Sequence, residues 1–131
     1  MDNLTLTVSI QSEPVLVTIL HLAGRLDSNS ESLLGERAGQ LYASGTRRLL
    51  LNLEKVDYIS SAGLRAIHLT YKIFTPAEEI KAWQPGGDVY KTPYFKVLCP
   101  SQQVFSVLNL AGFLHNIPFF NNLKDALESF K

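Results

Sequence analysis

Residues 49–74 read LLLNLEKVDYISSAGLRAIHLTYKIF, and this stretch decides the fold. Leu49 to Leu51, with Leu53, form a short continuous apolar run, the pattern of a central strand covered on both faces. After Ser61 the period changes. Leu64, Ile67, Tyr71 and Phe74 recur at helical spacing, and Ala66, Thr70 and Ile73 widen the stripe. That pattern predicts a helix largely buried against a sheet. Between strand and helix, Val56 to Ser61 reads as a short loop. Either Ser60 or Ser61 can cap the helix, because a serine hydroxyl accepts an orphan N–H of the first turn. Gly63 is unusual so early in a helix and points to a close backbone approach.

Upstream, Leu4, Leu6, Val8 and Ile10 alternate with Thr5, Thr7 and Ser9, a half-buried strand. Gln11 to Pro14 has the length of a hairpin connection, and residues 15–22, VLVTILHL, form a second, central strand. Ala23-Gly24-Arg25-Leu26-Asp27 breaks it, with Asp27 expected to shape the turn through its own side chain. Ser28 and Glu31 have the spacing of a capping box, and Leu33, Leu34, Ala38, Leu41 and Tyr42 follow at helical spacing. Gly45 ends that helix.

Downstream, residues 75–94 hold three of the six prolines and two of the eight glycines. Thr75, Pro76 and Glu78 open a short helix to about Trp83, and Pro85-Gly86-Gly87-Asp88 makes a turn. Trp83, Tyr90 and Tyr94 either pack over the helix–sheet groove or offer an apolar docking surface. Tyr94 to Cys99 forms a strand. Ser101 caps a helix from Gln102 to Ala111, with Val104, Val107, Leu108 and Ala111 inward and Gly112 as its stop. Ile117 to Phe120 is a short extended piece. Asn122 caps a last helix with Leu123, Ala126, Leu127 and Phe130 inward. The expected fold is α/β: one domain, a mixed sheet of four to five strands with about four helices packed on it.

Composition narrows the function by exclusion. A chain of 131 residues, 46% apolar, fits one domain with a core that needs no disulfide or metal. Twelve basic residues balance twelve acidic ones, which disfavours direct nucleic-acid binding and a polybasic membrane anchor. The opening residues, MDNLTLTVSI, lack the charged and apolar regions of a leader, and no run approaches the ~20 apolar residues of a membrane span. The lone Cys99 fits a reducing compartment, so a cytoplasmic location is expected. At the end of an apolar strand, Cys99 reads as a small core residue.

Catalytic templates are absent: no GxSxG, GxxxxGK[ST], GxGxxG or HExxH occurs. His21, His68 and His115 lie in separate elements without a carboxylate or cysteine at ligand spacing, so neither metal nor cofactor is expected. A serine hydrolase pairing Ser60 or Ser61 with His68 fails on distance. Seven residues of helix span about 10 Å, beyond the hydrogen bond that such chemistry needs.

The hairpin 4–22, the turn Gly24-Arg25-Leu26-Asp27, the strand Leu49–Leu53, the segment SSAGLRAI, the stretch VFSVLNLAGF and the closing NNLKDALESF resemble a STAS domain of the anti-sigma factor antagonist type, over nearly the whole chain. The family's hallmark is an Asp-Ser-x-Gly-Leu-like motif opening the second main helix. Ser60-Ser61-Ala62-Gly63-Leu64 occupies that frame, and Ser61 falls on the phosphoacceptor position. Ser60 stands where the family often has Asp, and Ala62 where a second Ser is frequent, which leaves Ser60 as an alternative acceptor. Residues 75–94 are longer than the family's usual helix-to-strand connection.

The resemblance implies a switch by partner exchange and no enzyme activity. The unphosphorylated protein binds an anti-sigma factor that is also a serine kinase, phosphorylation of Ser61 releases it, and a serine phosphatase resets it. The implied docking surface comprises Gly24, Asp27, Ser60, Ala62, Gly63, Leu64 and Arg65, with Arg65 equally readable as a solvated charge. The alternative is an adaptor subunit of a transport or signalling assembly that needs no phosphorylation.

Overall fold

The structure is a computed structural model that describes residues 4–81, 91–110, 112 and 116–131. Its elements run β1 (Leu4–Gln11), β2 (Val17–Leu26), α1 (Glu31–Ala43), β3 (Leu49–Ile59), α2 (Ser61–Phe74), α3 (Ala77–Lys81), β4 (Phe95–Leu98), α4 (Gln102–Leu110), β5 (Phe119–Phe120) and α5 (Leu123–Glu128). The strands form one sheet in chain order, β1-β2-β3-β4-β5. β1 and β2 are antiparallel, and every later pair is parallel. The expected mixed α/β fold is therefore present, with five strands and five helices among the described residues.

Strand alternation sorts the core into two layers. Leu20 and Leu22 of β2, and Leu49, Leu51 and Leu53 of β3, join Leu34 and Ala38 of α1, Ile67, Tyr71 and Phe74 of α2, and Val104 and Leu108 of α4. On the other face, Val17, Ile19, Leu50 and Leu98 meet Ala126 and Phe130 beside α5. α1, α2 and α4 thus cover one face and α5 the other.

Several expectations need correction. β2 does not stop at Leu22; it runs to Leu26 through two register shifts, with Gly24 at a positive φ of 113°. β3 likewise passes through Glu54 and Lys55 to Ile59, so Val56 to Ile59 is strand and only Ser60 separates it from α2. Each strand supplies the other's backbone partners, which keeps polar sequence extended. α1 is preceded by Ser30 rather than by a box on Ser28, and the Ser30 hydroxyl makes no capping bond. Thr75 does not start α3. It ends α2, and its buried hydroxyl bonds the Thr92 hydroxyl at 2.8 Å. Val107 is exposed, and so is Leu123.

Other local signals agree with the structure. Gly45 follows α1 at a positive φ, Ser101 Oγ accepts the Val104 N–H, and Asn122 Oδ1 accepts the Asp125 N–H. Tyr94 packs at the core edge and donates its hydroxyl to Glu79 Oε2 at 2.7 Å. Burial carries the Cys99 thiol up to about 11, which suits a core residue. Trp83, Tyr90, Ala111, His115 and the Pro85–Asp88 turn lie outside the described residues.

Candidate functional site

The SSAGL segment sits where β2 and β3 end side by side. Leu26 pairs with Ile59, and the next N–H, that of Ser60, donates to the Leu26 carbonyl at 2.9 Å. This bond holds Ser60 extended (φ −90°, ψ 176°) just before the helix begins. Ser60 Oγ then accepts the Gly63 N–H at 3.2 Å, and the Ser60 carbonyl accepts the Leu64 N–H at 2.9 Å. The sequence left two serines as candidate caps; strand register selects Ser60. Ser60 is half-buried.

Ser61 is the first residue of α2 and is exposed. It stands at the positive end of the helix dipole. Ala62 and Gly63 are buried behind it. A Cβ on Gly63 would run into the Leu26 carbonyl oxygen and reach 3.0 Å from Ile59 Cγ2. The expected close approach is therefore between the first turn of α2 and the end of β2. Leu64 packs half-buried against the main core.

The neighbouring turn is organised by Asp27. Its buried carboxylate accepts the Asn29 N–H at 3.0 Å, the expected Asx turn. The Ser30 hydroxyl accepts the Asp27 N–H at 3.0 Å and donates to the Arg25 carbonyl at 2.8 Å. Gly24 lies deeper in β2, opposite Val56 and two residues before Leu26, or about 7 Å from the strand end at ~3.3 Å per residue. Arg65 is exposed on α2, with Nη2 3.9 Å from Glu31 Oε2 of α1. Arg25 lies over the exposed Tyr58 ring at 4.2 Å from its centroid.

Ser60, Ser61, Ala62 and Gly63 thus share one rim with Asp27, while Gly24 stands back from it. Glu31 and Tyr58 were missed by sequence reasoning. Glu31 was read as a capping residue and Tyr58 as part of a loop, and only the α1–α2 packing and the full length of β3 bring them here.

His68 lies two turns along α2, its ring stacked on Tyr71 at 5.8 Å. Burial, followed by the charge of Lys72, holds its pKa below the usual histidine value. Among the described residues, no group of three or more His, Cys, Asp or Glu could hold a metal ion. No described helix is long and apolar enough to cross a membrane.

Residues 8–77, which include the whole rim, match the STAS domain family. The chain belongs to the STAS domain family. A curated relative, BtrV of Bordetella bronchiseptica, is named as a candidate anti-sigma factor antagonist; it is 35% identical over 105 residues, covering 79% of this chain and 77% of BtrV. An anti-sigma factor antagonist from Mycobacterium paratuberculosis has the same fold at a TM-score of 0.68 and 20% identity, over 97% of this chain and 93% of that one. The Bacillus cell fate determinant SpoIIAA, in its phosphorylated form, superposes at a TM-score of 0.58 and 13% identity, over 95% of this chain and 100% of that one. At 20% and 13% identity these two likenesses concern the fold.

Proposed function

We propose that this STAS domain is an anti-sigma factor antagonist. Its unphosphorylated form binds an anti-sigma factor that is also a serine kinase, using the rim around Ser61. Phosphorylation of Ser61 releases it, and a serine phosphatase restores binding. The domain is the substrate and the binding module, without catalysis of its own, and it acts without touching nucleic acid. Residues 75–94 are an insertion within this one domain, between α2 and β4 in the sequence.

The observation that carries the reading is the division between two adjacent serines. Ser60 is half-buried and its Oγ accepts the Gly63 N–H, whereas Ser61 is an exposed residue at the first helical position. The resemblance to BtrV supports the antagonist role.

The physical logic is local. A phosphate at the start of a helix is tolerated by the domain, since anions are favoured there. A docked partner would meet about two negative charges and a strongly hydrated group. A loss of ~4 kcal/mol weakens binding about a thousandfold.

Titration calorimetry with the cognate anti-sigma factor tests this. Ser61→Asp should weaken binding at least tenfold, while Ser61→Ala binds but takes up no phosphate from ATP. Ser60→Ala should still be phosphorylated. Full phosphate uptake by Ser61→Ala would overturn the assignment. Unchanged binding by Ser61→Asp would favour the adaptor role that needs no phosphorylation.

A further inference from the structure

The serine at the rim stands next to an ion pair that joins two helices. Arg65 follows Ser61 by four residues, one turn along the same face of α2. Side chains on a helix lean toward its N-terminus, so Arg65 leans over the turn that Ser61 opens. Its guanidinium lies 3.9 Å from Glu31 Oε2, and the two side chains are 67% and 35% exposed. Such a pair is weak and easily exchanged. The other charges of the rim are occupied or set apart: Arg25 faces Asp27 at 3.7 Å and the Tyr58 ring, and Asp57 is exposed on β3.

A phosphate on Ser61 changes the competition for Arg65. It offers about two charges and three strong acceptor oxygens against one carboxylate. An acid placed four residues before a base is the favourable order on a helix. The planar guanidinium fork also matches phosphate oxygens.

Resting on the assignment of Ser61 as acceptor, we propose that Arg65 is a two-position reader of that site. It pairs with Glu31 while Ser61 is free, and turns to the phosphate once Ser61 is modified. The Glu31 carboxylate is then released at the first turn of α1. One modification thereby alters the charge that two helices present to a partner.

The test uses the full chain with phosphoserine installed at position 61 during synthesis, so that no kinase is needed. Phosphorus NMR follows the second ionisation of the phosphate. Arg65→Gln should raise that pKa by about 0.3 of a unit, the scale of an i,i+4 ion pair. Glu31→Gln should lower it by a similar amount, since it removes both a competitor and a like charge. Arg65→Lys should retain part of the wild-type value. Far-ultraviolet circular dichroism checks that each variant keeps its fold, as exposed side chains should allow. A value unmoved by Arg65→Gln would overturn the proposal, and one unmoved by Glu31→Gln would overturn the exchange with α1. Both results hold whether or not a kinase ever modifies Ser61, so failure here is separate from failure of the acceptor assignment.

Discussion

The two faces of the sheet are built differently. Among the described residues, twenty-one buried ones form one continuous cluster on the α1–α2–α4 face, and six form the cluster on the α5 face. The first face carries the Ser60–Gly63 turn at its rim, where backbone meets backbone at Leu26. The second leaves much of β1 to β3 polar: Ser9 Oγ lies 2.7 Å from His21 Nε2, and Asn52 Nδ2 lies 3.0 Å from His21 Nδ1. It also holds a buried lysine. Lys96 Nζ donates to the Ser129 carbonyl at 2.7 Å and its hydroxyl at 3.0 Å, with the Phe130 ring beneath. The difference teaches that the proposed acceptor stands on the face with the larger core. Ser61 is exposed, while Ile59 before it and Leu64 after it pack in the main core.

The sharpest way to break this comparison is Gly63→Ala. The added methyl must displace the Leu26 backbone, so we expect a loss of about 3 kcal/mol in urea unfolding. A loss below about 0.5 kcal/mol would mean that the rim is loosely held and could rearrange on modification.

Lys96→Met addresses the other face. It removes two hydrogen bonds that fasten the end of α5, at about 1 kcal/mol. Hydrogen exchange should quicken in residues 123–130 and stay slow in α2. Faster exchange throughout α2 would show that the two faces do not open separately.

The smallest effect belongs to His68. Its pKa is lowered in the folded protein, so the unfolded chain binds a proton more readily. This contribution to stability is therefore fully present above the ordinary histidine value of 6.5 and declines as pH falls from there toward the folded pKa. His68→Gln should flatten the thermal stability profile as pH falls below 6.5. An unaltered slope would place the acid sensitivity elsewhere.

Much of this architecture was legible because periodicity reports burial. The apolar run at Leu49–Leu53 and the wide stripe of α2 announced a central strand and a buried helix. Local pattern failed where pairing between distant segments decided the outcome. Gly24 and Arg25 looked like a break, and Val56 to Ser61 like a loop, yet β2 and β3 hold each other extended to Leu26 and Ile59. The same long-range fact resolved the two serines. Hydroxyl chemistry alone lets either one cap α2, and the Ser60 N–H bond to Leu26 fixes which one does. Glu31 was visible as an acid near a helix start, but its meeting with Arg65 depends on how α1 packs on α2.

The most direct measurement of the central claim is a phosphosite map of the protein taken from its own cells. Peptide mass spectrometry should find a single phosphate on Ser61, absent from Ser61→Ala and retained in Ser60→Ala. Phosphate on Ser60, or a chain that is never modified while it exchanges partners normally, would contradict the account.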